Sequence, residues 1–350
     1  MNILHLHTSL NITCGISKTI YLVAKNPEGM HKHFVLALNG DAEKKFKDSN
    51  IDVTFLYRNR YSIIDIIKIF KFLKLYIEKN KIEIIHSHHR FFDFISYTLS
   101  FFCKIKRITS VQSFVYGKKL FSYKSPILLA AGESVKQHLK NYFNIKEEKI
   151  IVFNNFVDIN EITHNADKKT VKIELNIPEN AYLVGYVGRF SVKEKGIDIL
   201  LNAFKIFNEK HPCSYLLMVG DGEDINKISI PKDVKIISSK ENIFNYYNIF
   251  DCLVLPSRVD PFPLTVLEAG MMKTPFIGAD VNGISEIICG NIDGLLFEKE
   301  NVNMLIEKME LFFKEKEFAN KCAENLYRKI LSNYNYEKAT RLLNNIYEKL

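Results

Sequence analysis

Short, largely apolar β-rich runs alternate with stretches of helical period from one end of this chain to the other. Strand patterns cover Asn2 to His7, Phe34 to Leu38, Asp52 to Leu56, Glu83 to His86, Ile108 to Val111, Ile127 to Ala131 and Lys149 to Phe153. Helical patterns begin near Ser17 and Ser134 and run from Ile63 to Glu78 and from Phe91 to Cys103. Such alternation predicts parallel βαβ units, an α/β fold whose ligands bind at the carboxyl ends of the strands. Residues 161–178, EITHNADKKTVKIELNIP, are polar and weakly patterned, and the domain boundary is drawn there, giving domains over 1–165 and 166–335. Beyond it, strands are expected at Ala181 to Val187, Tyr215 to Val219, Val234 to Ile237, Cys252 to Leu255, Phe276 to Ala279 and Gly294 to Phe297, with closing helices from Val302 and Tyr336. A length of 350 residues agrees with two domains, at roughly 100 to 200 residues each.

The most informative stretch is DCLVLPSRVDPFPLTVLEAGMMKTPFIGA, from Asp251 to Ala279, which reads strand, loop, helix, strand. Asp260 on the loop and Glu268 in the helix bracket a helix N-terminus, where unpaired N–H groups and the dipole favour an anion. Pro261 and Pro263 contribute no N–H, which leaves Phe262, Leu264, Thr265 and Val266 as donors. Two acids around an anion site suit a ligand with both hydroxyls and phosphate, such as a sugar nucleotide. The competing reading is a helix cap with a solvated glutamate. In YLVGYVGRFSVKEKGIDILLNAF, Gly188 ends a buried strand, and Arg189 and Lys195 follow at a spacing that lets both reach one pyrophosphate. Lys193 competes with Lys195 for that role.

Weaker stations accompany these. Gly15 in HTSLNITCGISKT stands at a strand end before a helix, where backbone can approach a phosphate closely or simply turn, and Gly220 in LLMVGDGED ends a strand in what is by itself a common loop. Gly283 in VNGISEII follows the strand ending at Ala279. His86, His88 and His89 cluster after a strand, but no nearby acid or cysteine completes a metal set.

Together the Asp260 to Glu268 spacing, the Arg189 and Lys195 pair and the ordered turn glycines resemble the E-x7-E retaining glycosyltransferases of family 4, over about Met1 to Asn301. Asp260 stands where that family usually has Glu. The resemblance implies the GT-B architecture: two facing Rossmann-like domains with a cleft between them and a terminal helix, 336–350, crossing back to the first. It implies that Asp260 contacts sugar hydroxyls, Glu268 the ribose, and Arg189 and Lys195 the leaving diphosphate. Gly15, Gly188, Gly220 and Gly283 would border the donor, with the N–H groups of Phe262, Leu264, Thr265 and Val266. His86 and His88 match a family H-x-H on the acceptor side, and Gln112 stands where a histidine usually supports the sugar. Glutamine holds a hydroxyl but carries no proton. The expected activity is retaining, metal-independent transfer of a hexose-type sugar from a nucleoside-diphosphate sugar to a hydroxyl, with no cofactor. A sugar-nucleotide epimerase and an inactive relative serving as a binding subunit are the alternatives.

Charge bears on the acceptor. Up to residue 170 there are 26 Lys and Arg against 15 Asp and Glu, and 14 of those cations, with only 4 acids, lie between Arg58 and Lys124. Lys68, Lys71 and Lys74 stand beside a broad apolar face in the helix from Ile63, and the aromatic stretch FFDFISYTLSFFCKIKR follows. These features are compatible with an anionic membrane surface and with a lipid-linked saccharide acceptor in bacterial O-antigen or capsule synthesis. No nucleic-acid motif accompanies the charge. The six scattered cysteines signal neither disulfides nor zinc and suit a reducing cytosol. MNILHLH has no signal-peptide pattern, so a cytoplasmic protein, free or peripheral on the inner membrane face, is expected.

Overall fold

The computed structural model describes residues 1–25, 31–57, 62–163, 166–238 and 242–350. Arg58 and Arg60 of the basic segment, and residues 164 and 165 at the expected boundary, lie outside them. The chain forms two compact units, Met1–Asn154 with Glu337–Leu350, and Asn155–Tyr336. The division thus falls upstream of 161–178. The reason is local: Val157 bridges Asn335, and its N–H donates to the Tyr334 carbonyl, which fastens this segment to the second unit.

The first unit holds strands β1 (Asn2–Leu10), β2 (Lys32–Gly40), β3 (Asp52–Phe55), β4 (Ile84–Ser87), β5 (Lys106–Val111), β6 (Ile127–Ala130) and β7 (Ile150–Val152). Its helices are α1 (Gly15–Lys25), α2 (Glu43–Asp48), α3 (Ile63–Asn80), α4 (Arg90–Leu99) and α5 (Glu133–Asn141). The sheet runs β3-β2-β1-β4-β5-β6-β7 with every pair parallel, so strand order reverses between β1 and β4. Alternation along β1 separates two faces. Leu4 and Leu6 join Phe34, Leu36 and Ile85 under α3 and α4, where Ile69, Leu73, Phe92 and Ile95 complete an apolar core. His5 and its strand neighbours occupy the opposite face.

The second unit holds β8 (Tyr182–Val187), β9 (Ser214–Val219), β10 (Val234–Ile237), β11 (Cys252–Leu255), β12 (Phe276–Ala279) and β13 (Leu295–Phe297). Its helices are α6 (Lys168–Glu174), α7 (Val192–Lys195), α8 (Ile197–Lys210), α9 (Phe244–Tyr247), α10 (Leu264–Met271), α11 (Asn282–Ile287), α12 (Val302–Lys314) and α13 (Lys316–Asn333). Strand order is β10-β9-β8-β11-β12-β13, all parallel, with its reversal between β8 and β11. A crevice outside the strand ends at such a reversal is where open α/β sheets take ligands. The last helix, α14 (Tyr336–Lys349), returns to the first unit.

Candidate donor site and the histidine layer

In the second unit the predicted residues meet at the carboxyl ends of β8 and β11. Gly188 turns the chain after β8, and the Tyr186 hydroxyl, whose pKa burial raises, donates to the Arg189 carbonyl at 2.7 Å. The Arg189 side chain is 61% exposed and paired with Glu194. Ser191 caps α7 by accepting from the Glu194 N–H, and the short helix ends at Lys195. From there Lys195 Nζ reaches Asp260 Oδ2 at 2.5 Å. Asp260 is buried and also accepts from Ser257 Oγ at 3.2 Å. Lys193, the competing lysine, is exposed on α7.

The loop carrying Asp260 is fixed from several sides. Arg258 forks to Asp198 at 2.7 and 2.9 Å and to Glu300 at 2.6 and 2.9 Å. The backbone N–H groups of Arg258 and Val259 donate to the Glu194 carbonyl, so the loop is strapped to α7 beside Lys195. Asn155 Nδ2 donates to the Phe262 carbonyl at 2.7 Å, and the Gly283 N–H donates to the Asp260 carbonyl at 3.0 Å. Of these partners only Phe262 and Gly283 were assigned a site role from the sequence; Arg258, within the same loop, was not.

At α10 the N-cap is Pro263, and no side chain caps the helix. Thr265 Oγ1 donates to the Val187 carbonyl at 3.2 Å, which aims the helix start at the end of β8. One expected donor is corrected: the Val266 N–H already donates to the Pro263 carbonyl at 3.3 Å, because the first turn closes there. Leu264 and Thr265 are the first-turn residues left to offer N–H groups, and Phe262 lies before the turn. Glu268 is buried and accepts from the Tyr247 hydroxyl at 2.8 Å. Burial first, then the Glu268 carboxylate, raises the Tyr247 pKa well above its ordinary value, so the phenol stays a donor. A cap with a solvated glutamate is therefore not what these acids form.

Two glycines are there for space. Gly220 has φ +157, and a Cβ on it would overlap the Gly188 carbonyl. A Cβ on Gly283 would overlap the Pro261 carbonyl and stand 2.7 Å from Phe262 Cα. Gly283→Ala is expected to push the Asp260 to Phe262 loop outward, costing about 1 to 3 kcal/mol of stability, typical of overpacking. Thermal melting of the variant checks it.

In the first unit, Gly15 opens α1, and Thr19 Oγ1 donates to its carbonyl at 3.1 Å. Gln112, just past β5, donates from Nε2 to Thr19 Oγ1 at 3.4 Å. Gly15 and Gln112 are thus joined through Thr19, a residue the sequence did not single out.

His86 and His88 differ from expectation. Both are buried inside the first unit instead of lining an open acceptor face. His5 pairs in register with His86 on adjacent strands, so both rings rise from the same sheet face. His86 bonds through Nδ1 to the Tyr347 hydroxyl of α14 at 2.7 Å and through Nε2 to Ser110 Oγ at 2.8 Å. His5 Nδ1 meets His88 Nε2 at 3.1 Å, and His5 Nε2 meets His33 Nδ1 at 2.8 Å. His5, His86 and His88 offer nitrogens within 4.8 Å of one another. Both ring nitrogens of His5 and of His86 are engaged by protein partners, one of those of His5 being His88 itself. Burial above all, then neighbouring imidazoles, lowers these pKa values: to about 3 for His86, to about 4 for His33, and well below the ordinary value for His5 and His88. The layer is a stack of neutral rings joined by hydrogen bonds.

Comparison with known proteins identifies the family and the fold. The profile described as Glycosyltransferase Family 4 matches residues 14–161, and that described as Glycosyl transferases group 1 matches residues 167–329. An uncharacterized glycosyltransferase of Methanocaldococcus jannaschii is 26% identical over 96% of this chain and 95% of its own. A capsular polysaccharide biosynthesis glycosyltransferase, CapM, of Staphylococcus aureus is 24% identical over 69% of this chain and 67% of its own. An Escherichia coli UDP-Gal:alpha-D-GlcNAc-diphosphoundecaprenol alpha-1,3-galactosyltransferase is 26% identical over 57% and 54%. In fold, a glycosyltransferase from Rickettsia africae superposes with a TM-score of 0.86 at 22% identity, covering 99% of this chain and 98% of its own. Anabaena HepE in complex with UDP-glucose gives 0.87 at 16% identity over the whole of both chains. With two parallel α/β units, a returning terminal helix and both family halves matched in order, the chain is a family 4-type glycosyltransferase of GT-B architecture.

Proposed function

We propose that the protein moves a hexose-type sugar from a nucleoside-diphosphate sugar to a hydroxyl of a lipid-linked saccharide in bacterial surface polysaccharide assembly, at the cytoplasmic face of the membrane. The observation that carries the donor half is the Lys195–Asp260 pair standing beside the uncapped start of α10. Relatives named for capsular polysaccharide and for a diphosphoundecaprenol-linked acceptor support the acceptor half.

In this reading the diphosphate lies against the N–H groups of Leu264 and Thr265, with Lys195 and Arg189 on its oxygens. Arg189 leaves Glu194 to reach them. Asp260 is released from Lys195 as the phosphate takes the ammonium, and its carboxylate then accepts from sugar hydroxyls. Glu268, held by Tyr247, accepts from the ribose. The bond between the anomeric carbon and the phosphate oxygen breaks, the acceptor oxygen bonds to the same face, and its proton passes to the departing phosphate oxygen. Configuration is retained. Negative charge growing on the diphosphate is met by fixed cations and N–H dipoles in place of a divalent metal.

A thermal-shift panel of UDP, GDP, ADP, CMP and dTDP without metal tests the donor half. At about 100 times its dissociation constant the bound nucleotide adds roughly 2.7 kcal/mol of stability. One diphosphate is expected to raise the melting temperature of the wild type and to leave Glu268→Ala and Arg189→Ala nearly unmoved. If no diphosphate shifts the wild type, the transferase reading gives way to that of a binding subunit, for which Gln112 in place of a proton-carrying histidine is the specific support.

A further inference from the structure

Two histidines stand where β1 and β4 part, at the strand-order reversal of the first sheet. Pairing of these strands ends at Leu6 with Ser87, and the His88 N–H donates to the Leu6 carbonyl just beyond it. His7 follows on β1, which continues beside β2 to Leu10. His89 follows on the other side and is the N-cap of α4. Their rings meet edge-on with centroids 6.1 Å apart. Neither is hydrogen-bonded into the layer of His5, His33, His86 and His88.

Backbone contacts fix a different tautomer on each ring. His7 Nδ1 lies 2.7 Å from the Ser9 carbonyl oxygen. A lone pair held against that oxygen would be repelled, so Nδ1 carries the proton and Nε2 is left as an acceptor. The Ser9 N–H, 3.1 Å from the same nitrogen, is the longer contact. His89 Nδ1 instead accepts from the Phe91 N–H at 3.2 Å, which leaves the proton of the neutral ring on Nε2 as a donor. Burial first, opposed by the Ser9 carbonyl and aided by His89, lowers the His7 pKa to about 4. Burial and then Arg90 lower that of His89, so neither ring is charged above pH 7.

His7 is only 6% exposed, yet its Nε2 has no hydrogen-bond partner among the described residues, and neither has that of His89. A buried acceptor beside a donor, both unmatched by protein, is costly unless a ligand completes them. The pair selects that ligand. A carboxylate or phosphate oxygen has no hydrogen for His7, and an ammonium has no lone pair for His89. A hydroxyl has both, accepting from His89 Nε2–H while donating to His7 Nε2.

We propose that His7 and His89 form a hydroxyl-binding site in the first unit that holds a hydroxyl of the acceptor saccharide. Calling that saccharide the acceptor rests on the transferase reading, but the site is measured without nucleotide or turnover.

Nitrogen-15 spectra of the full chain with labelled histidine read the tautomers, and His7→Asn and His89→Asn supply the assignments. His7 is expected in the Nδ1–H form and His89 in the Nε2–H form; the opposite form on either ring overturns the proposal. The methyl α- and β-glycosides of glucose, galactose, mannose and N-acetylglucosamine are then added singly. At least one is expected to shift both Nε2 resonances, and a panel that moves neither or only one overturns the site. Asparagine keeps each Nδ1 contact, an N–H for the Ser9 carbonyl and an oxygen for the Phe91 N–H, and deletes Nε2. Each asparagine variant should therefore bind that glycoside roughly three- to ten-fold more weakly, the loss of one hydrogen bond. His7→Gln, whose amide oxygen reaches toward the Nε2 position, should recover part of the loss; a glutamine variant as weak as the asparagine one contradicts the role of Nε2. A chain whose rings respond to a glycoside but which shifts with no diphosphate keeps this site and loses the transferase reading. The converse pair of results does the reverse.

Discussion

Lowering the pH from 7.5 to 5.5 is expected to remove about 4 kcal/mol from the first unit through His7, His33 and His86 alone, against a total of about 5 to 15 kcal/mol for a domain. Burial holds His7 and His33 at about 4 and His86 at about 3 in the folded unit, while in the unfolded chain each returns to roughly 6.5. Above pH 6.5 both states are neutral and the full stability is present. As the pH falls below 6.5 the unfolded chain takes up protons that the folded unit refuses, so each ring costs about 1.4 kcal/mol per pH unit until its folded value is reached. His5 and His88, shifted further in the same direction, add to the loss. Among the described histidines, His211 alone lies in the second unit. Urea titrations followed by circular dichroism at the two pH values, with hydrogen exchange to assign the unit, read the effect. A midpoint that does not move, or a loss confined to the second unit, contradicts the assignment of the buried rings as neutral.

Lys195→Gln is expected to lower kcat about 100- to 1,000-fold at saturating donor, the effect of deleting one preorganised group that meets charge developing in the transition state. The nucleotide KM should change less, because in the proposed reading Arg189 and the α10 N–H groups would still hold the ground-state diphosphate. Lys193→Gln, two residues away on the exposed side of α7, should stay near wild type. The paired measurement separates a role in turnover from a general loss of positive charge. Steady-state release of the diphosphate identified by the melting panel is the assay. A Lys195 variant within ten-fold of wild type, or a Lys193 variant that falls further, would remove Lys195 from the mechanism. Melting curves belong beside it, since Asp260 loses a cation but keeps Ser257.

Most strands were legible because their residues are buried on both faces, which writes them as short continuous apolar runs; Cys252–Leu255 and Phe276–Ala279 match to the residue, and so does the edge strand Val234–Ile237, of which only Val234 is buried. β1 extends past the expected His7 to Leu10 because β2 continues beside it, pairing Leu10 with Gly40, which no local pattern announces. α13 went unread although Ala319, Cys322, Leu326 and Ile330 are buried at helical spacing, because small residues and a heavily charged outer face dilute the stripe. At the donor site, loop and helix were readable as a unit, whereas the Tyr247 partner of Glu268 and the Asn155 partner of Phe262 come from distant segments. The histidine layer was the hardest part. His5 and His33 sit mid-strand as ordinary alternating residues, and only the arrival of Tyr347, 261 positions after His86, decides that this face is sealed.

That arrival has a consequence in time. A chain leaving the ribosome at about 5 to 20 residues per second presents the first sheet well before α14 exists, and the segment between them takes on the order of ten to forty seconds to make. During that interval the His5, His33 and His86 side of the sheet lacks Tyr347, and His86 Nδ1 lacks its hydroxyl partner. Completion of the first unit thus waits on α14, which is translated only after the whole of the second unit.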